Sequence, residues 1–425
     1  MPTIEKQSAA ELDALVRKRW RAQAEYVNTH SDFYRARKLK GDPDELADLD
    51  FTDKESLRED QRLNPPFGSY LASKPEAVSR VHRTSGSTGT AMNIALSQSD
   101  ALIWADVGAR AMKLCGLGPG HRVVHCLNYQ MWMGGYTDHA VLEATGATVI
   151  PFGVGGTERL IPTIRELGIT AIHCTPSYPA VLERVIAEHF PDLKPRDLGL
   201  KLGLFGGEAG LDQPAFRKRL EDTWGFQVRN ANYGVSDVLT IMAGQSAYTQ
   251  DLHFIAGDVL YPELIDSETG SRKPFQAGET GELVLTHLMR ECQPLVRFRT
   301  GDVVTITETG PTHEGVTAPR FRVVGRADDM VVVRGLNMFP AMVQGVVNQF
   351  PELSGEYRIL LDTPPPYDAL PLQVELARDD AESGLADAVE AAIKKQLGGT
   401  ARVSVLPPNS IQRSEGKSRR VIRTY

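Results

Sequence analysis

The sequence predicts a layered α/β protein. A large N-terminal domain of mainly parallel sheets flanked by helices is extended by a β-rich subdomain, and a small α+β C-terminal domain follows. Three observations predict it. From His121 to Asn232, short runs rich in Val, Ile and Leu alternate with amphipathic stretches, the pattern of βαβ units and a parallel sheet. Beyond Val238 the helical stretches give way to strands with turn signals, as in "LHFIAGDVLYPELID", "DSETG" and "GELVLTHL", which reads as mainly antiparallel. After "FRVVGR" comes a segment of roughly one hundred residues with its own strands and helices, a usual size for a domain. At 425 residues the chain exceeds the size at which one core usually stops growing, so two domains, or three, are expected.

Each element has its own justification. "MPTIEKQSAAELDALVRKRW" carries apolar positions at helical spacing among charges and lacks the uninterrupted apolar core of a signal peptide. "VSRVH" is a strand that leads into "RTSGSTGTA", Arg83 to Ala91. The parallel strands are "HRVVHCL", "ATVIPF", "ITAIHC", "LKLGLFGG" and "FQVRNAN". Between them lie the helices "TDHAVLEATG", "TERLIPTIRELG", "PSYPAVLERVIAEHF" and "LDQPAFRKRLEDTWG". In the last segment "MVVVRG", "EYRILL", "LPLQVELA" and "ARVSVL" are strands, "PAMVQGVVNQF" and "ADAVEAAIKKQLG" contain helices, and "DTPPPYD" is a surface loop. A boundary at Ala327 to Asp329 divides residues 1–326 from 330–425.

Composition excludes some functions. A hydrophobic share of 41% and a charged share of 24% are ordinary for a soluble globular protein. The net charge of -7 gives no electrostatic footprint for nucleic acid or an anionic membrane. No window approaches a membrane-spanning run. Cys115, Cys126, Cys174 and Cys292 are scattered and form no C-x-x-C pair, which suits a reducing compartment, so a cytoplasmic protein is expected.

The stretch "RTSGSTGTA" offers backbone N–H groups, hydroxyls and room rather than side chains for a core, which is what an anion such as phosphate can use. No lysine follows its second glycine, so it is no Walker loop. Four further segments add to it. "YGVSD" (Tyr233 to Asp237) falls at the end of an expected parallel strand, where open α/β sheets bind ligands. "RFRTGD" (Arg297 to Asp302) sets a carboxylate directly after a turn glycine, "GRADDMVVVRGLNMFP" (Gly325 to Pro340) spans the domain boundary, and "QRSEGKSRRV" (Gln412 to Val421) sets Lys417 beside a glycine in a polar terminal segment. Taken singly, Asp302 is explained as a turn cap and Lys417 as one more solvated cation beside Arg413, Arg419 and Arg420. Their joint occurrence in order is not explained that way.

Together these motifs resemble the acyl-adenylate-forming (AMP-binding) superfamily and, within it, the phenylacetate-coenzyme A ligase family. The resemblance runs over nearly the whole chain and includes "FTDKESLRED", "NPPFGSYL", "GATVIPFGVGGTER", "CTPSYP", "FGGEAG" and "ECQPLVRFRTGD". It implies an ATP-dependent aryl carboxylate-CoA ligase. An acid attacks the α-phosphate of Mg-ATP to give an acyl-adenylate and pyrophosphate, and the thiol of coenzyme A then expels AMP. Thr84, Ser85, Gly86, Ser87, Thr88 and Gly89 are implied to cradle the β- and γ-phosphates. Gly206, Gly207 and Glu208 would line the adenine, with Tyr233 as an aromatic face and Asn232, Gly234 and Ser236 as further nucleotide contacts. Asp302 is implied to accept hydrogen bonds from the ribose hydroxyls, Arg326 to sit beside the ribose or phosphate, and Lys417 to bridge the acid and the α-phosphate. Asp328 matches a hinge about which a mobile C-terminal domain, carrying Lys417, turns between the two half-reactions.

Two departures from the family pattern stand out. Thr90 and Ala91 follow the phosphate loop where a lysine or proline is usual, so one cationic contact is missing. Asp237 replaces the usual glutamate as magnesium ligand, an equally hard oxygen donor one methylene shorter. Some relatives carry a structural zinc near this region. Here His253 and Cys292 are present without companion cysteines, so zinc is not expected and His253 reads as a structural histidine.

The acyl pocket is expected at Tyr129, Trp132, Met133, Gly134, Gly135, Tyr136 and Ala209. "NYQMWMGGY" mixes aromatics, methionine and glycines, which suits a flat aryl ring with a polar handle from Asn128 or Gln130; Met131 and Trp132 read equally as core. The expected substrate is phenylacetate or a substituted benzoate. Alternatives remain at this point: loading of an acyl carrier protein's phosphopantetheine, adenylation of a cofactor such as a deazaflavin, or a nucleotide-binding module without catalysis. Relatives often form dimers, so a homodimer is a further expectation.

Overall fold

Helix caps and strand alternation set the architecture of the computed structural model, which describes residues 6–84, 90–208, 210–312, 315–378, 384–411 and 420–425. Ser8 accepts from the Glu11 N–H and the Glu11 carboxylate accepts from Ser8, so α1 (Ala9–His30) opens on a capping box. It buries Val16, Trp20, Ala24 and Val27. After α2 (Asp32–Arg35), Asp53 caps α3 (Lys54–Leu63) in the same way. β1 (Arg80–Arg83) and β2 (Asn93–Leu96) form an antiparallel pair on either side, in sequence, of the expected phosphate-loop segment. No described helix is long and apolar enough to cross a membrane.

The chain divides into two units, Met1–Thr300 with Thr305–Arg322, and Gly301–Val304 with Val323–Tyr425. In the first, α4 (Gln98–Leu114) is followed by β3 (Arg122–His125), α5 (Met133–Ala144), β4 (Thr148–Pro151), α6 (Thr157–Glu166), β5 (Ala171–Cys174), α7 (Tyr178–His189), β6 (Leu202–Gly206), α8 (Pro214–Trp224) and β7 (Gln227–Val235). The strands lie in the order β7-β6-β5-β3-β4, all parallel. Alternation along them assigns the helices to layers. Val123, Ala171, Leu202 and Leu204 join Met112 of α4 and Val141 and Leu142 of α5 in one core. Their neighbours Val124, Ile172, Phe205 and Val228 join Ile164, Leu182 and Leu220 of α6, α7 and α8 in another. The α/β expectation is met, with helices on both faces.

The β-rich part continues this sheet rather than forming a separate one. β7 pairs parallel with β6 but antiparallel with β8 (Leu239–Gln245), which leads to β9 (Leu252–Phe254), β10 (Leu260–Ile265), β11 (Arg272–Lys273), β12 (Thr280–His287), β13 (Phe298–Glu308) and β14 (Arg320–Arg326) in one twelve-stranded order. Antiparallel pairing of β10 with β11 and β12, and of β9 with β8 and β14, agrees with the turn-rich sequence. One local expectation needs correcting. Gly301 is not in a turn: it lies inside the eleven-residue β13 with φ of +76°, an irregularity that glycine tolerates within a continuing strand.

The second unit has its own core. A hairpin of β15 (Val331–Val333) and β16 (Leu336–Met338) turns at Arg334 and Gly335, both with positive φ, as two-residue hairpin turns of this hand require. α9 (Pro340–Val347) and α10 (Leu385–Leu397) contribute Val343, Val346, Val389 and Ile393 to a core with β17 (Leu353–Leu361), β18 (Leu370–Leu376) and β19 (Ala401–Leu406). The fourth strand of this sheet, β20 (Val421–Arg423), runs parallel to β17 and buries Val421. The polar tail is therefore followed by a core strand, which its charges concealed. Arg420 is no solvated tail cation: it pairs with Glu356 at 2.6 Å and covers the Tyr357 ring.

Candidate functional site

The nucleotide-binding expectations of the first unit meet at the carboxyl ends of β6 and β7. Gly206 and Asn232 are register partners across the parallel ladder, so the "GGE" and "NYG" segments lie side by side. Glu208 accepts hydrogen bonds from the Ser177 backbone N–H (3.2 Å) and hydroxyl (3.1 Å), which tie the segment to the start of α7. Tyr233 meets the Phe321 ring edge-on at 5.1 Å. A side chain at position 234 would bring its Cβ to 1.9 Å from the Thr240 carbonyl, so only glycine fits where β7 meets β8. Ser236 and Asp237 occupy the short turn between those strands.

Asp237 has a partner that sequence reading missed. Its carboxylate is 3% exposed and Oδ2 accepts from Lys54 Nζ at 2.9 Å, while Oδ1 is buried without a hydrogen-bond partner among the described residues. That orphaned hard oxygen is compatible with Mg²⁺, which is commonly held by one or two carboxylates together with substrate phosphates. No group of three metal-binding side chains occurs among the described residues. Thr84 directly follows β1, and its N–H and Oγ1 both bond the Met92 backbone at 3.0 Å, so its hydroxyl ties the base of the expected phosphate-loop segment. Ser85, Gly86, Ser87, Thr88 and Gly89 lie outside the described residues, as do Ala209 and Lys417.

The segment expected to line the acyl pocket lies next to that base, since the Arg83 backbone N–H donates to the Met131 carbonyl at 2.9 Å and Arg83 bridges to Trp132. Met133, Gly134, Gly135 and Tyr136 form the first turn of α5, four residues ahead of the helix start expected from periodicity. Met131 and Trp132 are not core: they are 50% and 40% exposed, whereas Met133 is buried. Tyr136, also 50% exposed, lies parallel to His139 and beneath the Arg80 guanidinium. Tyr129 bonds His139 Nδ1 at 2.9 Å through its hydroxyl.

Under this turn runs a buried polar chain. His125 Nε2 lies 2.9 Å from the Gly135 carbonyl, His125 Nδ1 lies 2.8 Å from His173 Nδ1, His173 Nε2 lies 3.5 Å from Asn232 Nδ2, and Asn232 donates to Asp138 Oδ2 at 2.6 Å. Burial holds His125 down to about 4 and His173 well below the usual range, so both are neutral at pH 7. One assignment of protons satisfies every contact. A carbonyl only accepts, so His125 Nε2 carries the proton. His125 Nδ1 then accepts from His173 Nδ1–H, and His173 Nε2 accepts from the Asn232 amide. Burial pushes Asp138 up to about 8 against the opposing bond from Asn232. His125 is the last residue of β3 and His173 the last but one of β5, and two such histidines near the carboxyl ends of neighbouring parallel strands were a readable signal.

In the second unit Asp302, Arg326 and Asp328 form one cluster. Arg326 Nη1 meets Asp302 Oδ1 at 3.0 Å, and Nε and Nη2 meet the two Asp328 oxygens at 2.8 and 3.0 Å. Burial works against the charge of Arg326, but bonds to Asp328 and the charges of Asp302, Asp328 and Asp329 hold its affinity for protons above the ordinary. The expected ribose ligand and the expected hinge residue are thus bound to one guanidinium.

Comparison with known proteins follows this geometry. Residues 8–288 match the family model of the AMP-binding enzymes, and residues 335–424 match that of the AMP-binding enzyme C-terminal domain. The chain is 31% identical to a phenylacetate-coenzyme A ligase of Thermus thermophilus, over 99% of this chain and 98% of that protein. It is 33% identical to one of Pseudomonas putida, over 95% and 92%. Among solved structures it resembles 2-hydroxyisobutyryl-CoA ligase in its postadenylation state, with a TM-score of 0.87 and 28% identity over 100% of this chain and 94% of that one. The same ligase with 2-HIB-AMP and CoA in its thioesterification state gives a TM-score of 0.71 and 30% identity, over 98% and 91%.

Proposed function

Because the chain belongs to the AMP-binding enzyme family, among the phenylacetate-coenzyme A ligases, we propose that this AMP-forming acid-thiol ligase acts on an aryl carboxylic acid, phenylacetate or a substituted benzoate. The observation that carries the aryl choice is the aromatic run on and before the first turn of α5. Trp132 and Tyr136 are 40% and 50% exposed, and Tyr129 is fixed by His139. Half-exposed aromatic side chains of this kind suit a planar aryl substrate.

The chemistry has two displacements. A carboxylate oxygen bonds to the α-phosphorus of ATP as the bond to pyrophosphate breaks. The coenzyme A sulfur then bonds to the carbonyl carbon, its proton is lost, and the bond to the AMP oxygen breaks. Positioning and charge stabilisation carry the first displacement. The backbone of Gly206 and Gly207 and the ring of Tyr233 serve the adenine, Asp302 the ribose hydroxyls, Arg326 the ribose or phosphate, and Lys417 the oxygens shared by acid and α-phosphate. Asp237 Oδ1 would hold Mg²⁺, which when bound neutralises phosphate charge. The buried His125 keeps the Gly135 carbonyl, and so the turn that faces the acid, in one orientation. The link at residues 327–329 divides residues 1–326, which take ATP and acid, from a mobile domain at 330–425, with Asp328 as its pivot.

One observation favours a second substrate class: the solved ligase resembling this chain carries 2-hydroxyisobutyryl-AMP, an aliphatic adenylate. Acid-dependent exchange of labelled pyrophosphate into ATP separates the two. Exchange with phenylacetate or benzoates at least tenfold above 2-hydroxyisobutyrate is expected, and the reverse order overturns the aryl reading. Thioester formation with coenzyme A rather than with an acyl carrier protein is the expected second step.

A further inference from the structure

Thr90 and Ala91 follow the phosphate loop where a cation is usual, yet a triphosphate carries charge that a binding site must meet. α3 offers one. Lys54, Arg58 and Gln61 stand at i, i+4 and i+7 and so share one face of that helix. Gln61 exchanges two hydrogen bonds with the Asn93 backbone, at 2.6 and 3.0 Å, and Arg58 Nε donates to the Thr90 carbonyl at 3.1 Å. Lys54 is on Asp237. This face therefore spans from the turn after β7 to the exit of the phosphate loop.

The backbone before Lys54 is held firmly. Thr52 pairs with β13 through Thr52 N–H to Arg297 O (2.9 Å) and Arg299 N–H to Thr52 O (2.8 Å), and Asp53 caps the helix. The side chain is 36% exposed while its partner Asp237 is 3% exposed, so the ammonium remains open to an incoming anion. An ammonium has three donors. Among the described residues one of them has a partner, Asp237 Oδ2.

We propose that Lys54 is a phosphate-binding residue, held ready by Asp237 to contact the β- and γ-phosphates of a nucleoside triphosphate in place of the cation missing at position 90. The inference rests on the ATP-dependent reading above. It also gives the shortened carboxylate a use. Lys54 engages Oδ2, and Oδ1 would remain to hold a metal ion that neutralises phosphate charge.

Calorimetric titration of a non-hydrolysable ATP analogue and of AMP, each with Mg²⁺, tests this. Lys54→Met is expected to weaken the ATP analogue about 10- to 100-fold, the range of a charge-assisted contact, and AMP by less than about threefold, since AMP lacks the outer phosphates. Lys54→Arg should keep most of the affinity, and Thr90→Lys should restore part of it to the methionine variant. Lys54→Met strands the buried Asp237 carboxylate, so Lys54→Met is also measured in an Asp237→Asn background, where a further loss for the ATP analogue is expected. Equal weakening of both nucleotides, or no further loss in that background, overturns the proposal. Wild-type chain that binds neither nucleotide would instead count against the functional reading itself.

Discussion

Asp237 and Asp302 are both buried and each is met by a cation among the described residues, but the two regions use different cations in different ways. Arg326 uses three of its nitrogens, on two carboxylates, so its planar fork is locked. Among the described residues Lys54 uses one contact, keeps donors in reserve and leaves one carboxylate oxygen without a partner. The arginine cluster is suited to hold a geometry. The lysine pair is suited to exchange partners when a charged ligand arrives.

The sharpest way to break this contrast is at the locked cluster. Asp328→Pro removes the fork's second carboxylate and stiffens the backbone at the proposed pivot. We expect thioester formation to be abolished while adenylation persists, read by coenzyme A consumption against pyrophosphate exchange. Asp328→Ala, which removes only the ion pair, should retain thioester formation. Lys417→Ala sets the scale for a cation at the reacting atoms: adenylation should fall on the order of 10²- to 10³-fold, with thioester formation from supplied acyl-adenylate largely intact. Equal loss in both half-reactions would refute that role.

Exchanging the cations sharpens the comparison further. Arg326→Lys cannot bridge two carboxylates with one planar group, and the KM for ATP should rise about tenfold, equivalent to roughly 1.4 kcal/mol. Lys54→Arg should change it little. If both exchanges cost the same, the distinction between a locked and a spare cation fails.

The smallest effect concerns stability. Asp138 titrates near 8 in the folded chain and about 3.9 unfolded. Between those values the folded chain holds a proton that the unfolded chain lacks, so its contribution is complete below about 4 and is lost as pH rises through about 8. His125, held down to about 4, acts in the opposite sense: the unfolded imidazole binds a proton below about 6.5, so stability is lost as pH falls from there towards 4. Above pH 6.5 only the Asp138 contribution of this pair still changes, with a slope of up to about 1.4 kcal/mol per pH unit. Asp138→Asn should flatten the decline in urea midpoint between pH 6.5 and 8; an unchanged decline would show that Asp138 is not its source.

Periodicity and turn chemistry by themselves determined the alternating strands and helices from His121 to Asn232 and the change to antiparallel strands beyond Val238, while the ordered motifs carried the family resemblance. Those are short-range properties, written within a few residues of one another. Which neighbours those segments receive was decided only by the tertiary structure. Lys54 meets Asp237 across 183 positions and Asn232 meets Asp138 across 94; no local pattern encodes such pairs, because they follow from strand order and helix layering. The same reason hid β20, whose three residues become a strand only by lying against β17. It also hid Gly301, whose "TGD" reads locally as a turn but is drawn out by the strand on either side of it.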